Sequence, residues 1–202
     1  MCIYENWGYY ACLAMGSERL LAKIDAVKSN FLTVLVGHDA SHWGSVQLKR
    51  KRVQKMDRNE RIVNDFYKSI IEGDMDLYSS LIHENIELSL PIKKGVLTGT
   101  YFGKTRLVEE IFPLVISCLD LDNFTFCKRF KIMSANEHCV AAICEAGGLA
   151  SSGEPYDQIY AHFFKFEDEK IIKLIEFQDS SLADRALWKG VAYLEPDSQF
   201  SY

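Results

Sequence analysis

Residues 153–187, GEPYDQIYAHFFKFEDEKIIKLIEFQDSSLADRAL, decide the fold of this chain. Aromatic and polar side chains occupy every second position from Tyr156 to Phe166, so a β-strand would place them on one face. A short acidic turn follows, and a second strand is predicted over residues 170–177. Two strands joined by a short polar turn favour an antiparallel hairpin. The shared face is apolar near the turn and polar further out, which is typical of the wall of a ligand cavity.

The composition indicates one globular domain of ordinary size with an appendage. The chain has 202 residues, of which 48% are hydrophobic and 25% charged, and its net charge is −5. The negative charge argues against a nucleic-acid partner. No apolar run reaches the roughly 18 residues of a membrane span, and the N-terminus lacks the pattern of an export signal. We therefore expect no membrane partner.

The cysteines and histidines predict neither a metal site nor a cofactor. The six cysteines show no CxxC or CxxH spacing, and we interpret them as reduced, mostly buried side chains of a cytoplasmic protein. The histidines show no ligand spacing with carboxylates, and the chain has no glycine-rich phosphate loop. We expect the protein to work without a cofactor.

Residues 1–55 differ from the rest of the chain in charge, which indicates a separate role. They hold eight Lys and Arg against four Asp and Glu, whereas the remainder holds 15 against 24. One helix is predicted over residues 20–36. The run KRKR at 49–52 resembles a nuclear-localisation or anionic-surface patch, although a solvated basic linker is the favoured interpretation. We divide the chain into a basic extension (1–55), a main domain (56–190) and a C-terminal tail (191–202) that we expect to be frayed.

From residue 57 onward, local signals predict the order helix, helix, strand, helix, four strands, helix. Asp57 with Glu60 has the spacing of a capping box, and Asp74 is placed to cap the second helix. Gly103 opens the third helix, in which Pro113 should cause a kink or lie near the end. This order predicts an α+β fold in which helices pack on one face of a curved antiparallel sheet. Such a sheet encloses a conical cavity when the helices do not fill it.

Three segments in this order carry a resemblance to a known family. They are GDMDLYSSLIHENIEL (73–88), LTGTYFGKTRLVEEIF (97–112) and YDQIYAHFFKFEDEKIIKLIEFQD (156–179). Together they resemble the SnoaL-like branch of the nuclear transport factor 2-like superfamily, which includes ketosteroid isomerases and limonene epoxide hydrolases. The resemblance covers about residues 57–190. It implies a mixed sheet wrapped on three to four helices as a cone with an internal pocket, and a homodimer formed through the sheet.

The chain departs from the catalytic patterns of both enzymes. A ketosteroid isomerase has a carboxylate base just before a proline on its first strand, where this chain has Leu90. Its oxyanion-hole acid would correspond to His162. In limonene epoxide hydrolases an Asp-Arg-Asp cluster acts, for which the chain offers Asp179 and Glu145, but Ile143 stands in place of the arginine. Neither set is complete, so the resemblance does not fix a reaction.

His162, Glu176 and Asp179 are the candidate catalytic residues. An imidazole directed into the cavity could act as a general acid or base near neutral pH. Burial of Glu176 beside it would raise the pKa of that carboxyl and leave it able to act as an acid. Asp179 ends the last strand at the rim of the cone. The alternatives are a core histidine hydrogen-bonded to a tyrosine or a carboxylate, a Glu176 paired with His162 or with a lysine, and an Asp179 that only caps the last helix.

Five further residues are candidates for binding the substrate. Tyr156, Gln158 and Tyr160 share the face of His162 and would orient a ligand. Glu145 interrupts an apolar strand, where an unpaired buried carboxylate would be costly, so it is paired, at the rim or functional. Tyr101 is placed at the mouth of the pocket, with aromatic loop packing as the alternative.

Three hypotheses for function follow. The first is an enzyme that acts on a small hydrophobic, oxygenated molecule by cofactor-free acid/base chemistry, of the isomerase, cyclase, dehydratase or epoxide hydrolase type. The second is a binding module of the same fold without turnover, which the missing carboxylate at Leu90 and the missing arginine at Ile143 favour. The third is a dimerisation unit whose basic extension contacts an acidic partner. A cone filled by phenylalanine side chains would count against the first two.

Overall fold

The computed structural model describes residues 58–201. The basic extension, the predicted helix at 20–36, the KRKR run and the predicted cap at Asp57 lie outside the described residues. Within them, the α+β class is confirmed: four helical regions accompany a six-stranded mixed sheet in the order β2-β1-β6-β5-β4-β3.

The predicted hairpin forms the middle of the sheet. Strand β5 (Gln158–Glu167) pairs antiparallel with β6 (Lys170–Phe177), and Asp168 and Glu169 form the turn between them. Both turn residues have positive φ angles, 46° and 63°. A two-residue turn of this kind matches the right-handed twist of the strands. The hairpin register places His162 opposite Glu176.

Helix α1 ends, and helix α2 begins, where the sequence indicates. Helix α1 extends over residues 58–72 and ends at Gly73, whose φ of +70° is the left-handed conformation that favours glycine. Helix α2 (Met75–Leu81) is capped by Asp74, whose carboxylate accepts a hydrogen bond from the Leu77 amide. The predicted Asp74 cap is confirmed.

Strand β1 (Ile82–Leu90) has an antiparallel neighbour on one side and a parallel neighbour on the other. It pairs antiparallel with β2 (Gly99–Phe102) and parallel with β6, where Leu88 is opposite Leu174. The predicted order of elements has no strand between the first strand and the third helix, so it lacks β2 and is wrong at this point. Four residues are too few for a period of two to be recognised, and the strand depends on pairing with β1.

The third helical region opens at Gly103 as predicted. It consists of α-helical turns at Lys104–Arg106 and Phe112–Ser117 on either side of a π-helical segment, Leu107–Ile111; together these form α3. Pro113 lies in the first turn after the π-helical segment. Because proline has no amide hydrogen and its ring clashes with a carbonyl four residues earlier, it disrupts regular α-helical bonding in the preceding turn.

Two long strands complete the sheet, and the last helix follows it. Strand β3 (Leu119–Ala135) pairs with β4 (Cys139–Ala150), which pairs with β5. Helix α4 (Ser180–Ala186) begins at Asp179, whose side chain accepts hydrogen bonds from the amides of Ser181 and Leu182. The predicted cap at Asp179 is therefore confirmed.

The C-terminal tail is docked on the domain, so the expectation that it is frayed is wrong. The Leu194 amide donates to the Val96 carbonyl at 3.0 Å, and Ser198 forms a β-bridge with Thr100 of strand β2. The Asp197 carboxylate accepts from the Phe102 amide at 2.8 Å. Backbone bonds of this kind to a strand edge hold the segment in place despite its polar composition.

The core lies between the inner face of the sheet and the helices. Phe66 of α1 contacts Phe164 of β5 edge-on, with ring centroids 5.2 Å apart, and Phe164 is fully buried. Tyr78 of α2 contacts Phe112 of α3 at 5.4 Å. Burying a side chain such as Phe164 stabilises the fold by about 1.5–3 kcal/mol. This packing fixes α1 and its Tyr67 against the middle strands.

Candidate functional site

Three side chains from three elements form a hydrogen-bonded chain inside the cone. The Tyr67 hydroxyl lies 2.7 Å from Nδ1 of His162, and Nε2 of His162 lies 3.0 Å from Oε2 of Glu176. Because a carboxylate only accepts, the neutral imidazole carries its hydrogen on Nε2 and accepts at Nδ1 from Tyr67. Tyr67 and His162 are buried, whereas the Glu176 side chain is 23% exposed. Glu176 is therefore the end of the chain that reaches solvent.

Aromatic rings fill the space around the imidazole. The ring of Tyr67 stacks on Phe130 with centroids 4.4 Å apart, and Tyr160 stacks on His162 at 5.6 Å. Phe164 contacts the imidazole edge-on at 5.8 Å. Burial raises the pKa of the Tyr67 hydroxyl well above its ordinary value, so this group is a neutral hydrogen-bond donor. The inner end of the cone at His162 is packed rather than hollow.

A second polar network lies toward the rim. The Tyr156 hydroxyl donates to Oε1 of Gln178 at 3.2 Å and lies 3.1 Å from the Tyr160 hydroxyl. Burial raises the pKa of both tyrosines, so they too remain neutral donors. Tyr156 and Tyr160, predicted to orient a ligand, thus share one network with Gln178, which the sequence analysis did not single out.

A cavity of about 430 Å³ opens at the rim, near the carboxyl ends of the parallel strands β1 and β6. Residues 91–94 line one side of it, and Phe177, Gln178 and Ser180 line the other. Its volume lies within the range of small-molecule sites. We call this cavity the rim cavity. A pocket was predicted within the cone beside His162, whereas the rim cavity contacts the polar network of Tyr156 and Tyr160 only through Gln178.

Gln158 and Asp179 hold the start of helix α4. The Gln158 amide donates to the Asp179 carbonyl at 3.0 Å and accepts from the Asp179 amide at 3.1 Å. The pKa of the Asp179 carboxyl is lowered, chiefly by the hydrogen bond from the Leu182 amide and then by the Ser181 hydroxyl. The Asp179 carboxylate is exposed and serves as a cap, which favours the capping interpretation over a catalytic one.

Glu145 and Tyr101 lie away from the His162 chain. Strand alternation places Glu145 on the outer face of β4, since Cys144 and Ala146 on either side are buried. There it pairs with Arg129 at 2.5 and 2.6 Å, and the arginine lowers the pKa of the Glu145 carboxyl. Tyr101 is buried, and its hydroxyl accepts from the Thr98 amide and donates to a tail carbonyl. Both contacts are structural.

Tyr67 and Gln178 are the site residues that the sequence analysis missed. Tyr67 lies four residues after Val63 and so extends the apolar stripe of α1. A tyrosine in such a stripe needs a buried hydrogen-bond partner, which was a usable signal. Gln178 follows the last predicted strand position and continues the alternation of Glu176. No comparable signal marks residues 91–94 as a cavity wall.

Residues 58–201 contain neither a cluster suited to a metal ion nor a helix suited to cross a membrane. In this part of the chain no group of three or more His, Cys, Asp or Glu side chains has an arrangement that could hold a metal ion. None of the helices in the same residues has the length and apolar character to cross a membrane.

Solved structures with the same fold were found, although no protein-family profile and no curated protein sequence matches the chain. A nuclear transport factor 2-like protein from Burkholderia xenovorans LB400 aligns with a TM-score of 0.54 at 19% identity, over 65% of this chain and 97% of that one. A Bacillus subtilis protein provisionally described as an isomerase aligns with a TM-score of 0.53 at 18% identity, over 70% and 99%.

A third neighbour, from Pseudomonas putida KT2440 and provisionally described as a polyketide cyclase, has a TM-score of 0.50 and 18% identity over 62% of this chain and 95% of that one. At these identities the likeness concerns the fold alone. The chain therefore has the nuclear transport factor 2-like fold that its sequence resemblance implied.

Proposed function

We propose that this protein binds a small hydrophobic, oxygenated molecule at the mouth of the cone and transfers a proton on it through Glu176. The observation that carries the proposal is the chain from Tyr67 through His162 to Glu176, in which the carboxylate alone reaches solvent. Within the described residues, Oε1 of Glu176 has no hydrogen-bond partner, so that oxygen is available to a substrate.

The imidazole and the phenol would position the carboxylate and stabilise its charge. His162 donates from Nε2 to Oε2 of Glu176, and the bond from Tyr67 to Nδ1 fixes the ring orientation. A carboxylate held at one oxygen leaves the other directed outward, which is the geometry of a general base. Glu176 would accept a proton from a carbon or oxygen of the substrate and return it to a neighbouring position.

The position of Glu176 in the sheet supports this role. Leu88 is opposite Leu174 in the parallel pair of β1 and β6, so the same register continued by two residues brings Leu90 beside Glu176. Leu90 is the position at which the resemblance to ketosteroid isomerases would require a carboxylate. Glu176 would thus supply, from the neighbouring strand, the carboxylate that β1 lacks. Gln178 would donate a hydrogen bond from its amide nitrogen to the oxygen of the substrate, and Tyr160 and Tyr156, which are hydrogen-bonded in series to Gln178, would hold that amide in position.

The proposal is tested by hydrogen exchange on a simple ketone. The protein is incubated with 2-tetralone in D₂O, and loss of the proton next to the carbonyl is followed by NMR. We expect exchange above the buffer rate, and a decrease of about 10²- to 10⁴-fold in the Glu176→Gln variant. Glu167→Gln, an exposed carboxylate at the other end of the hairpin, is the matched control and should behave as wild type. Equal rates for the two variants would refute the assignment.

A binding module without turnover is the second candidate. The observation that favours it is the use of Asp179 as a helix cap, which leaves one predicted catalytic carboxylate without a catalytic role, while the rim cavity still offers space for a ligand. If the wild-type protein gives no exchange above the buffer rate with any enolisable ketone, but binds small molecules at the mouth, this candidate replaces the first.

We also propose that the protein forms a homodimer through the outer face of its sheet. Apolar side chains that face away from the helices lie next to each other across three strands and define the outer patch: Ile143, Ile159, Ala161, Phe163, Ile175 and Phe177. Ile159 is 61% exposed and Phe163 38% exposed. Contiguous exposed apolar side chains of this kind are typical of protein interfaces.

The oligomeric state tests the dimer directly. We expect wild type to sediment as a dimer and the Phe163→Lys variant as a monomer. Met75→Lys, at an exposed apolar position on helix α2, is the control and should remain dimeric. Monomeric wild-type protein at micromolar concentration would exclude the proposed dimer.

A cytoplasmic location is the remaining part of the proposal. Its support is that Cys118, Cys127, Cys139 and Cys144 are free thiols, three of them buried. Unpaired cysteines of this number are typical of reducing compartments. Fractionation of the source cells would test it.

A further inference from the structure

The rim cavity has an unusual set of lining groups. Its wall combines the apolar side chains of Pro91, Ile92 and Phe177 with four groups that can donate a hydrogen bond: Lys93, Lys94, Gln178 and Ser180. No carboxylate lines it. A site that offers an apolar surface and only donors or cations on its side chains is suited to a molecule with an apolar body and a negatively charged head.

The two lysines are available to such a ligand. Both are exposed, and within residues 58–201 neither forms an ion pair. On the facing helix, Oδ1 of Asp184 lies near Gly95, 3.6 Å from the position that a Cβ on this glycine would take. Oδ1 of the Asp179 carboxylate accepts from the amides of Ser181 and Leu182 and from the Ser181 hydroxyl.

Gln178 connects the rim cavity to the proposed catalytic mouth. Its Oε1 accepts from Tyr156, and within the described residues its amide nitrogen has no hydrogen-bond partner. The amide can therefore donate to a ligand in the cavity while the carbonyl oxygen remains bonded to the tyrosine network. Gln178 lies two residues beyond Glu176, about 7 Å along an extended chain, so a ligand held at the cavity would extend toward the general base.

We propose that the rim cavity binds small organic acids with an apolar body, with Lys93 and Lys94 holding the carboxylate head and Pro91, Ile92 and Phe177 covering the apolar part. This inference deepens the proposed function, because it names the class of molecule presented to Glu176. It rests on the proposed function for the chemistry, whereas the binding itself depends only on the cavity.

The test compares three probes that share or lack the two recognition features. Octanoate has both the apolar body and the charge, octan-1-ol has only the body, and inorganic phosphate has only the charge. Binding to the full chain is measured by NMR titration of the backbone amides near the cavity. We expect octanoate to bind at least about tenfold more tightly than either other probe, with shifts at residues 91–94 and 177–180. One tenfold step corresponds to about 1.4 kcal/mol.

The matched variants separate local from general charge effects. Lys93→Gln/Lys94→Gln should weaken octanoate binding about tenfold or more, because both cations at the cavity are removed. Lys131→Gln/Lys165→Gln removes the same charge from two exposed positions on β3 and β5 and should leave binding unchanged. Equal binding of octanoate and octan-1-ol would overturn the inference, and so would equal losses in the two double variants.

Failure of this inference is distinguishable from failure of the proposed function. Glu176→Gln should bind octanoate like wild type while losing ketone exchange. If octanoate binds at the cavity but no ketone exchanges, the binding inference stands and the acid/base role falls. If ketones exchange in a Glu176-dependent manner but octanoate does not bind, the rim cavity is not the substrate site and the inference is overturned.

Discussion

Replacing Tyr67 by phenylalanine tests the interior chain most directly. The substitution removes one hydroxyl oxygen and leaves the ring in place against Phe130 and Phe164, so it creates almost no cavity. It does remove the only hydrogen bond that Nδ1 of His162 makes within the described residues. An imidazole that is 7% exposed cannot replace that bond readily with water.

The expected loss of stability follows from the burial of the unpaired group. A buried acceptor left without a partner costs about 1–3 kcal/mol. For a chain of this size that loss lowers Tm by about 3–10 °C. Urea unfolding followed by circular dichroism, together with calorimetry, measures both quantities. Tyr193→Phe deletes the same atom from a tyrosine that is 57% exposed and should change stability by less than about 0.5 kcal/mol.

Two results would contradict the reasoning. If Tyr67→Phe is as stable as Tyr193→Phe, the hydroxyl does not support the imidazole. If the ¹⁵N spectrum of the neutral His162 ring shows the hydrogen on Nδ1, Glu176 cannot be accepting from Nε2, and the proposed direction of the chain is reversed.

Further outcomes follow from other contacts. Gly99→Ala should cost on the order of 1–2 kcal/mol because alanine disfavours the φ of +69° at this position. It should cost more than that because the new Cβ would lie 2.5 Å from the Ser198 carbonyl oxygen and would displace the tail. Gly153→Ala is the control, because its φ of +83° is also unfavourable for alanine but the space around it is open, so it should lose only the conformational part. If the two variants lose the same stability and carboxypeptidase trims their C-termini equally, the docking of the tail is refuted. Asp179→Ala should lower Tm by a few degrees at pH 7, and Asp179→Asn by less. The folded-state pKa of Asp179 is lowered, so the contribution of its charge is present above the ordinary carboxyl pKa and is lost as the pH falls through the folded value. A stability difference from Ala that does not shrink on acidification would contradict this. Gln158→Leu should cost about 1–3 kcal/mol in urea unfolding because the backbone amides of Ile159 and Asp179 lose the side-chain oxygen that accepts from them, and a loss under about 0.5 kcal/mol would contradict that.

The parts of the fold that local signals specify were predictable from the sequence. Asp74 and Asp179 cap helices because their side chains accept from amides two or three residues further along the chain. Both partners of each hydrogen bond therefore lie within a short stretch of sequence, and the cap can be predicted from that stretch. The pairing of His162 with Glu176 was one of the predicted alternatives, and the observed hairpin register places the two residues opposite each other. Strand β2 was not predictable in the same way, because its pairing with β1 and the tail outweighs the weak signal of four residues.

The candidate site was harder to predict because its partners are far apart in sequence. Tyr67 and His162 are separated by 95 residues, and no local pattern joins them. Glu145 was assigned to the substrate because its strand is apolar on both sides of it. Because the outer face of β4 is also apolar, its sequence does not show which residues point inward. The pairing of β4 with β3, which brings Arg129 to Glu145, shows that Glu145 points outward.

The docked tail has a consequence for the integrity of the sheet. Strand β2 is at one end of the sheet, where its outward backbone groups would otherwise be open to a strand of another molecule. Ser198 and Asp197 occupy those groups at Thr100 and Phe102. Shortening the chain after residue 190 would uncover this row, and intermolecular aggregation, rather than loss of the central hairpin, is the failure that we expect.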